Sequence, residues 1–159
     1  NILKNHTNKL KQSIFRTLMM KKKYIELDEF DMKIRLLLNY GHTFGHAIES
    51  VSNYSIPHGI AVSHGMNISN YISYKYKYLS KNDFYMMENI IMKISKFAKP
   101  HNINIYKYKA ALLKDKKTLN NTLRIILSKG PGKMFIKKQT YSEKFEELLK
   151  KYFKIYFNS

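Results

Sequence analysis

Two histidines, His42 and His46, stand four residues apart in a segment with helical character. Side chains at positions i and i+4 share one face of a helix, so the two imidazoles can reach one site. A third histidine, His58, follows the turn sequence YSIPHG at the start of the next predicted helix, where it can lie close to His42. Two imidazoles and a carboxylate form a common open zinc site. The spacing therefore predicts a metal site with a free position for a substrate.

The same histidines also fit a structural interpretation. A histidine pair at this spacing is more often structural or exposed than metal-binding, and a histidine after a proline often caps a helix. His64 lies on a different part of its helix, and we interpret it as structural or exposed. His6 and His101 have no partner pattern. Spacing alone leaves the metal-binding and the structural interpretations open.

The elements that position these residues are predicted to be mainly α-helical. Apolar residues at helical spacing predict helices over residues 3–27, 34–54, 58–79, 81–98, 106–118 and 141–156. The runs TLRIILS and KMFIKK, joined by the turn sequence GPG, predict one small β-hairpin near 122–137. Gly41 and Gly45 each weaken their helix by about 1 kcal/mol, which indicates close approach by a neighbour or ligand. Thr140 and Glu143 predict a capping box before the last helix.

The chain of 159 residues carries a net charge of +18, with 29 Lys and Arg against 11 Asp and Glu. Such a charge is typical of proteins that bind nucleic acid. However, Ile, Asn and Tyr are abundant together with Lys, and only three residues are Arg. Codon usage rich in A and T would produce this whole set. We therefore interpret the charge as compositional, do not expect a nucleic-acid partner, and expect a phosphorylated small substrate to use part of the charge.

Several classes of protein are excluded by composition. The chain has no cysteine, which excludes disulfides and thiolate metal sites and suits a reducing compartment. No apolar run approaches the ~20 residues of a membrane span, and no signal peptide is recognisable. We expect a cytoplasmic location, or a plastid if a transit segment was lost. Because the first residue is Asn1, we expect the chain to be a piece of a longer protein.

The string R-x-x-L-N-x-G-H-x-x-G-H-A-I-E runs from Arg35 to Glu49, and His58-Gly59, Ala61-Val62 and Gly65-Met66 follow it. It resembles the signature of the 3-dehydroquinate synthase family, LNxGHTxGHAIE followed by HGEAVAxGM. Lys21, fourteen residues before Arg35, the pair Asp28-Glu29 and the segment LLKDKKTLNNTLRIILSKGPGKMFI extend the resemblance to about residues 14–157. It implies the helical C-terminal domain of that fold, with residues 1–159 as a single metal- and substrate-binding domain.

The resemblance also implies a reaction. The family converts 3-deoxy-D-arabino-heptulosonate 7-phosphate to 3-dehydroquinate and phosphate, with bound NAD and a divalent metal, zinc or cobalt. His42 and His58 match the metal ligands, and His46 matches a catalytic histidine near the departing phosphate. The matched catalytic and substrate-binding polar residues are Lys21, Arg35 and Asn39, and the substrate lysine of the DKK segment is Lys116 or Lys117.

Two departures limit these expectations. Ile60 stands where the family signature has a glutamate after His-Gly. The family's NAD-binding N-terminal half, with a glutamate as third metal ligand, has no counterpart here, and none of the six glycines forms a G-x-G-x-x-G loop. We therefore expect the chain to hold metal weakly, to need an N-terminal half as a partner, and to form a homodimer as the family does. A related cyclase, an inactive remnant and a basic nucleic-acid-binding module with structural histidines are the alternatives.

Overall fold

The structure, a computed structural model, describes residues 2–114 and 121–157, with side chains from residue 7 onward. It divides the chain into two compact units, Asn1–Leu38 and Asn39–Ser159. None of the described helices is both long and apolar enough to cross a membrane.

The first unit contains helix α1, Ile2–Leu27, in agreement with the predicted helix over 3–27. The carboxylate of Asp28 follows it and accepts hydrogen bonds from the backbone N–H groups of Met32, Lys33 and Arg35 at 3.0, 2.6 and 3.0 Å. These bonds stabilise the ionised carboxylate and lower the pKa of Asp28. The turn that they hold leads into a 3₁₀ helix, Ile34–Asn39.

The second unit is helical apart from one hairpin within its described residues. Its helices are α2 (His42–Val51), α3 (His58–Lys75), α4 (Lys81–Ser95), α5 (Ile105–Leu113) and α6 (Glu143–Tyr156). Strands β1 (Thr122–Ser128) and β2 (Met134–Thr140) pair antiparallel, with Thr122 opposite Thr140 and Ser128 opposite Met134. The predicted fold class, mainly α with one small hairpin, is confirmed.

Helix α3 forms the centre of the core. It is buried along most of its length, including the polar side chains of Asn67 and Asn70, and Asn67 donates a hydrogen bond to the hydroxyl of Tyr152 on α6 at 3.1 Å. Fully buried apolar side chains from the surrounding elements complete the core, among them Phe44, Ile48, Ile125, Phe145 and Leu149. Helix α3 is thus fixed on several sides, which gives its first turn a defined position.

The prediction of one helix over 34–54 was wrong. The segment is a 3₁₀ helix that ends at Asn39, a turn, and α2 from His42. Gly41 separates them with a left-handed φ of 83°, a conformation that glycine adopts without the strain of a Cβ. Lys77, with a φ of 61°, follows the end of α3 at Lys75, which is earlier than the predicted 79. Helix α4 likewise ends at Ser95 rather than 98.

The predicted capping box of Thr140 and Glu143 was also wrong. Thr140 is the last residue of β2, and the N-cap of α6 is Ser142, whose hydroxyl accepts from the N–H of Phe145 at 3.3 Å. We expect Ser142→Ala to lower the free energy of unfolding by about 1 kcal/mol, measured by urea denaturation. Thr140→Val removes the other hydroxyl at nearly constant shape and β-propensity, so it is expected to leave stability unchanged. The opposite ranking would support the capping box.

His64 has a structural position in α3, as one of its two interpretations predicted. It is 3% exposed, its Nε2 lies 2.8 Å from the carbonyl oxygen of Ala98, and its ring meets the ring of Phe157 edge-on at 5.3 Å. Burial lowers the pKa of His64 from its ordinary 6.5, although the hydrogen bond to Ala98 opposes that shift. The neutral imidazole is therefore the form that the folded chain favours.

This burial predicts a loss of stability in mild acid. Below pH 6.5 the unfolded chain protonates His64 while the folded chain resists protonation, so the unfolded state binds more protons and gains population. We expect His64→Gln, which keeps an N–H donor for Ala98, to flatten the decline in unfolding free energy between about pH 7 and pH 5. His101→Gln removes an exposed histidine as the control. Equal pH dependence in both variants would contradict the assignment.

Candidate metal centre

Three glycines let α2 and α3 touch backbone to backbone. A methyl group on Gly65 would lie 2.0 Å from the carbonyl oxygen of Gly41 and 2.6 Å from the nitrogen of Gly45. A methyl group on Gly45 would lie 2.8 Å from Cα of Val62. The close approach that the sequence indicated at Gly41 and Gly45 is therefore made by the neighbouring helix α3. This contact fixes how the first turns of the two helices meet.

The close contact of α2 and α3 brings three imidazoles together. The ring centroids of His42 and His46 are 5.4 Å apart, those of His42 and His58 are 5.5 Å apart, and those of His46 and His58 are 5.7 Å apart. One nitrogen from each ring lies within 4.8 Å of the others. His46 and His58 are exposed and His42 is half-buried, so the cluster opens to the surface, where a further ligand or substrate can enter.

The donor set fits a divalent ion that prefers imidazole nitrogen. Metal binding requires neutral imidazole, and burial lowers the pKa of His42, an effect to which the neighbouring His46 and His58 add. The Nδ1 atom of His42 is buried and the backbone of Tyr40 and Asn39 lies beside the imidazole, so we infer that Nε2 is the nitrogen that would reach an ion. Zinc and cobalt both accept nitrogen ligands, and a site with fewer than four protein ligands keeps a position for substrate.

Glu49 is a site residue that the motif contained but the sequence reasoning did not single out. Its Oε1 lies 3.0 Å from Nδ1 of His58, and the residue is 8% exposed. A signal for it was present, because Glu49 follows His42 by seven residues and His46 by three, so all three share one face of α2. The contact joins the end of α2 to the start of α3.

Three of the other predicted site residues, Lys21, Arg35 and Asn39, lie in the described part of the chain. Lys21 is exposed on α1, and the guanidinium of Arg35 donates to the carbonyl oxygen of Glu29 at 2.7 Å. Both belong to the first unit, whereas the histidines belong to the second. Asn39 is exposed at the end of the 3₁₀ helix. Lys116 and Lys117 lie outside the described residues. The structure therefore groups the three histidines and leaves the roles of the other residues as predictions.

Comparison with known proteins decides the family. The family model described as 3-dehydroquinate synthase C-terminal matches residues 1–118. The chain belongs to this family. Within it, the chain is 33% identical over 144 residues to the 3-dehydroquinate synthase of Helicobacter pylori strain P12, which covers 90% of the chain and 42% of that protein. It is 38% identical over 152 residues to the 3-dehydroquinate synthase of Clostridium tetani, covering 94% of the chain and 39% of that protein.

Two solved structures of similar fold are structures of 2-deoxy-scyllo-inosose synthase. One is 2-deoxy-scyllo-inosose synthase complexed with carbaglucose-6-phosphate, NAD+ and Co2+, with a TM-score of 0.66 and 22% identity over 80% of this chain and 37% of that one. Another structure of 2-deoxy-scyllo-inosose synthase gives a TM-score of 0.62 with 23% identity over 77% of this chain. At 22% and 23% identity, this similarity supports the fold of the 3-dehydroquinate synthase C-terminal family. It does not identify a substrate.

The chain spans about two fifths of the length of its relatives, 42% and 39% of the two synthases above. One departure from the signature of the 3-dehydroquinate synthase family inside the matched region is Ile60. That side chain is half-buried and packs against the hydrophobic core. An aliphatic residue therefore occupies the position, two residues after His58, where the signature has a glutamate.

Proposed function

We propose that this chain is the C-terminal part of a 3-dehydroquinate synthase, the enzyme that converts 3-deoxy-D-arabino-heptulosonate 7-phosphate to 3-dehydroquinate and phosphate in the shikimate pathway of aromatic amino acid biosynthesis. The observation that carries the proposal is the cluster of His42, His46 and His58, with one nitrogen from each ring within 4.8 Å of the others. Relatives named 3-dehydroquinate synthase that match 90% or more of the chain support it.

The metal-binding role is proposed for His42 and His58. Their rings come from the first turns of two helices whose contact is fixed by glycine, so little side-chain movement is needed to assemble the pair. A zinc or cobalt ion held there would polarise a hydroxyl or carbonyl oxygen of the substrate as a Lewis acid. NAD, when bound by the other half, would supply the transient oxidation of a substrate hydroxyl that the resemblance implies before phosphate is lost.

His46 is proposed as the group that moves a proton at the departing phosphate. Its ring is exposed and stacks on the ring of His58 at 5.7 Å, so it can reach a substrate bound at the same opening. An imidazole can donate and accept protons near neutral pH. We assign it no metal bond, because the signature that it matches uses two histidines, not three, as ligands.

The remaining polar residues are proposed to bind the charged ends of the substrate. Lys21, Arg35 and one of Lys116 and Lys117 carry positive charges that suit phosphate and carboxylate groups, and Asn39 supplies an uncharged donor and acceptor. Arg35 already points one guanidinium N–H at a carbonyl, which restricts its orientation and leaves its other donors for an anion.

We also propose that the complete enzyme contains an NAD-binding half beside this chain. The chain spans 42% of its Helicobacter pylori relative, and the resemblance places the nucleotide site and a third metal ligand, a glutamate, in the other part. Homodimerisation is proposed because the resemblance to the family implies it. The reading frame upstream of Asn1 is the simplest check, since an NAD-binding half encoded there would support the enzyme and a stop codon would favour an inactive remnant.

The reaction is tested by product analysis. The chain, alone and combined with the NAD-binding half of the Clostridium tetani relative, is incubated with NAD, cobalt and 3-deoxy-D-arabino-heptulosonate 7-phosphate. We expect the combination to form dehydroquinate and phosphate in equal amounts and the chain alone to form neither. Other heptulose phosphates and glucose 6-phosphate are tested in parallel. Turnover of one of these without any dehydroquinate would overturn the assignment in favour of a related cyclase.

A further inference from the structure

Glu49 occupies the last turns of α2, on the face that carries His42 and His46. The residue is 8% exposed, and its position is fixed because Phe44, Ala47 and Ile48 around it are fully packed in the core. A carboxylate at this depth is costly to bury without a hydrogen-bonding partner. The partner in the structure is the imidazole of His58, at 3.0 Å between Oε1 and Nδ1.

This contact favours one tautomer of a neutral His58 imidazole. An ionised carboxylate has only acceptor atoms, so beside it the Nδ1 atom of His58 is the donor. In the neutral ring the Nε2 atom then keeps its lone pair, and it is the ring nitrogen that does not face Glu49. His42 and His46 lie 5.5 and 5.7 Å from this ring, so the lone pair is available to the cluster of three imidazoles.

We propose that Glu49 is a positioning residue of the metal centre, which fixes the tautomer and the orientation of His58 through its bond to Nδ1. The inference rests on the proposed metal site, since it assigns Glu49 a function through His58. A carboxylate bonded to the non-ligating nitrogen of a metal-binding histidine raises the basicity of the ligating nitrogen and holds the ring in place.

The role of Glu49 in holding His58 is more important in this chain because a second glutamate of the signature is absent. The signature of the family places a second glutamate directly after His58-Gly59, and Ile60 replaces it here. Ile60 is half-buried against the core and has no polar atom in its side chain. Because His58 is itself 58% exposed in its side chain, core packing does not hold its ring, and the bond to buried Glu49 provides the restraint.

The first test reads the tautomer of His58 in the metal-free chain. Nitrogen-15 shifts of the imidazole distinguish protonated from unprotonated Nδ1, and we expect Nδ1–H to predominate. Glu49→Gln keeps the size of the side chain but offers both a carbonyl oxygen and an amide N–H, so both tautomers become acceptable. We expect a mixture in that variant. The same tautomer population in Glu49→Gln as in the unchanged chain would overturn the proposal.

The second test measures cobalt affinity in the enzyme completed with an NAD-binding half. We expect Glu49→Gln to weaken cobalt binding about 10- to 100-fold. Glu146→Gln is the matched control, because Glu146 is also a shielded carboxylate with nitrogen partners, Lys150 at 2.7 Å and Lys109 at 3.6 Å, and its side chain is 15% exposed against 11% for Glu49. It is expected to leave cobalt affinity unchanged while losing comparable stability.

The outcomes separate this inference from the proposed function. Unchanged cobalt affinity in Glu49→Gln, with dehydroquinate still formed by the unchanged enzyme, would overturn the role of Glu49 alone. A shifted tautomer and weakened cobalt binding without dehydroquinate formation would support Glu49 and overturn the proposed reaction. Equal losses of cobalt affinity in Glu49→Gln and Glu146→Gln would show that the weaker binding comes from general destabilisation of the fold. That result would contradict the proposal.

Discussion

Replacement of Gly65 by alanine is expected to destabilise the chain by about 3 kcal/mol or more, at the upper end of overpacking effects. The added methyl group would lie 2.0 Å from the oxygen of Gly41 and 2.6 Å from the nitrogen of Gly45. These two atoms form a backbone hydrogen bond of α2, at 2.8 Å. Neither atom belongs to a flexible side chain, so α3 must move away from α2 as a whole. Urea denaturation of the two chains measures the difference.

Gly59→Ala is the matched control for this prediction. Gly59 lies in the first turn of the same helix, and no heavy atom lies within 4 Å of a methyl group added there. Alanine favours helix by up to about 1 kcal/mol over glycine, so this variant is expected to match or exceed the unchanged chain in stability. If Gly65→Ala were as stable as Gly59→Ala, the backbone contact of α2 with α3 would be refuted.

Removal of a metal ligand is expected to have the largest functional effect. Replacing either His42 or His58 by alanine takes one nitrogen from a site with few protein ligands. The loss of cobalt affinity should therefore exceed the ~100-fold upper range for residues that only orient a ligand. Titration of the completed enzyme with cobalt, followed by its visible absorption, measures it. Formation of dehydroquinate should fall in parallel, and added cobalt should restore only part of it.

His46→Asn separates metal binding from proton transfer. The ring of His46 is as close to His42 and His58 as they are to each other, so distance alone does not assign its role. We expect cobalt affinity in the completed enzyme to stay within a few-fold of the original. Turnover should fall about 10²- to 10⁴-fold, the range for loss of a general acid or base. A loss of cobalt equal to that of His58→Ala would make His46 a ligand instead.

Residue types and periodicity were sufficient to predict the helical class, the hairpin and the face of α2 that carries His42 and His46. They were insufficient to predict the break at Gly41. Gly41 has a left-handed φ immediately before α2, and its carbonyl oxygen packs against Gly65 of α3. That contact joins residues distant in sequence, which a local pattern does not report. The pairing of Glu49 with His58 was missed for the same reason, since it depends on how α2 and α3 meet.

The N-cap of α6 is a second case in which local sequence signals were insufficient. Two N-terminal patterns are acceptable for this helix. One is a capping box of Thr140 with Glu143, and the other is Ser142 as the N-cap. The choice between them is made by the hairpin, because Thr140 is paired with Thr122 in the sheet and the next residue, Tyr141, donates its N–H to the carbonyl of Asn121 at 2.8 Å instead of starting a helix. Strand pairing therefore decides between the two N-cap patterns, and the helix is capped by Ser142.

The most direct test of the proposed metal centre is a crystal structure of the cobalt-loaded enzyme, with anomalous diffraction recorded at the cobalt absorption edge. We predict one strong anomalous peak bonded to Nε2 of His42 and Nε2 of His58, with Nδ1 of His58 still bonded to Glu49. A peak elsewhere, with both imidazoles free of metal, would contradict the assignment of this cluster as the metal centre.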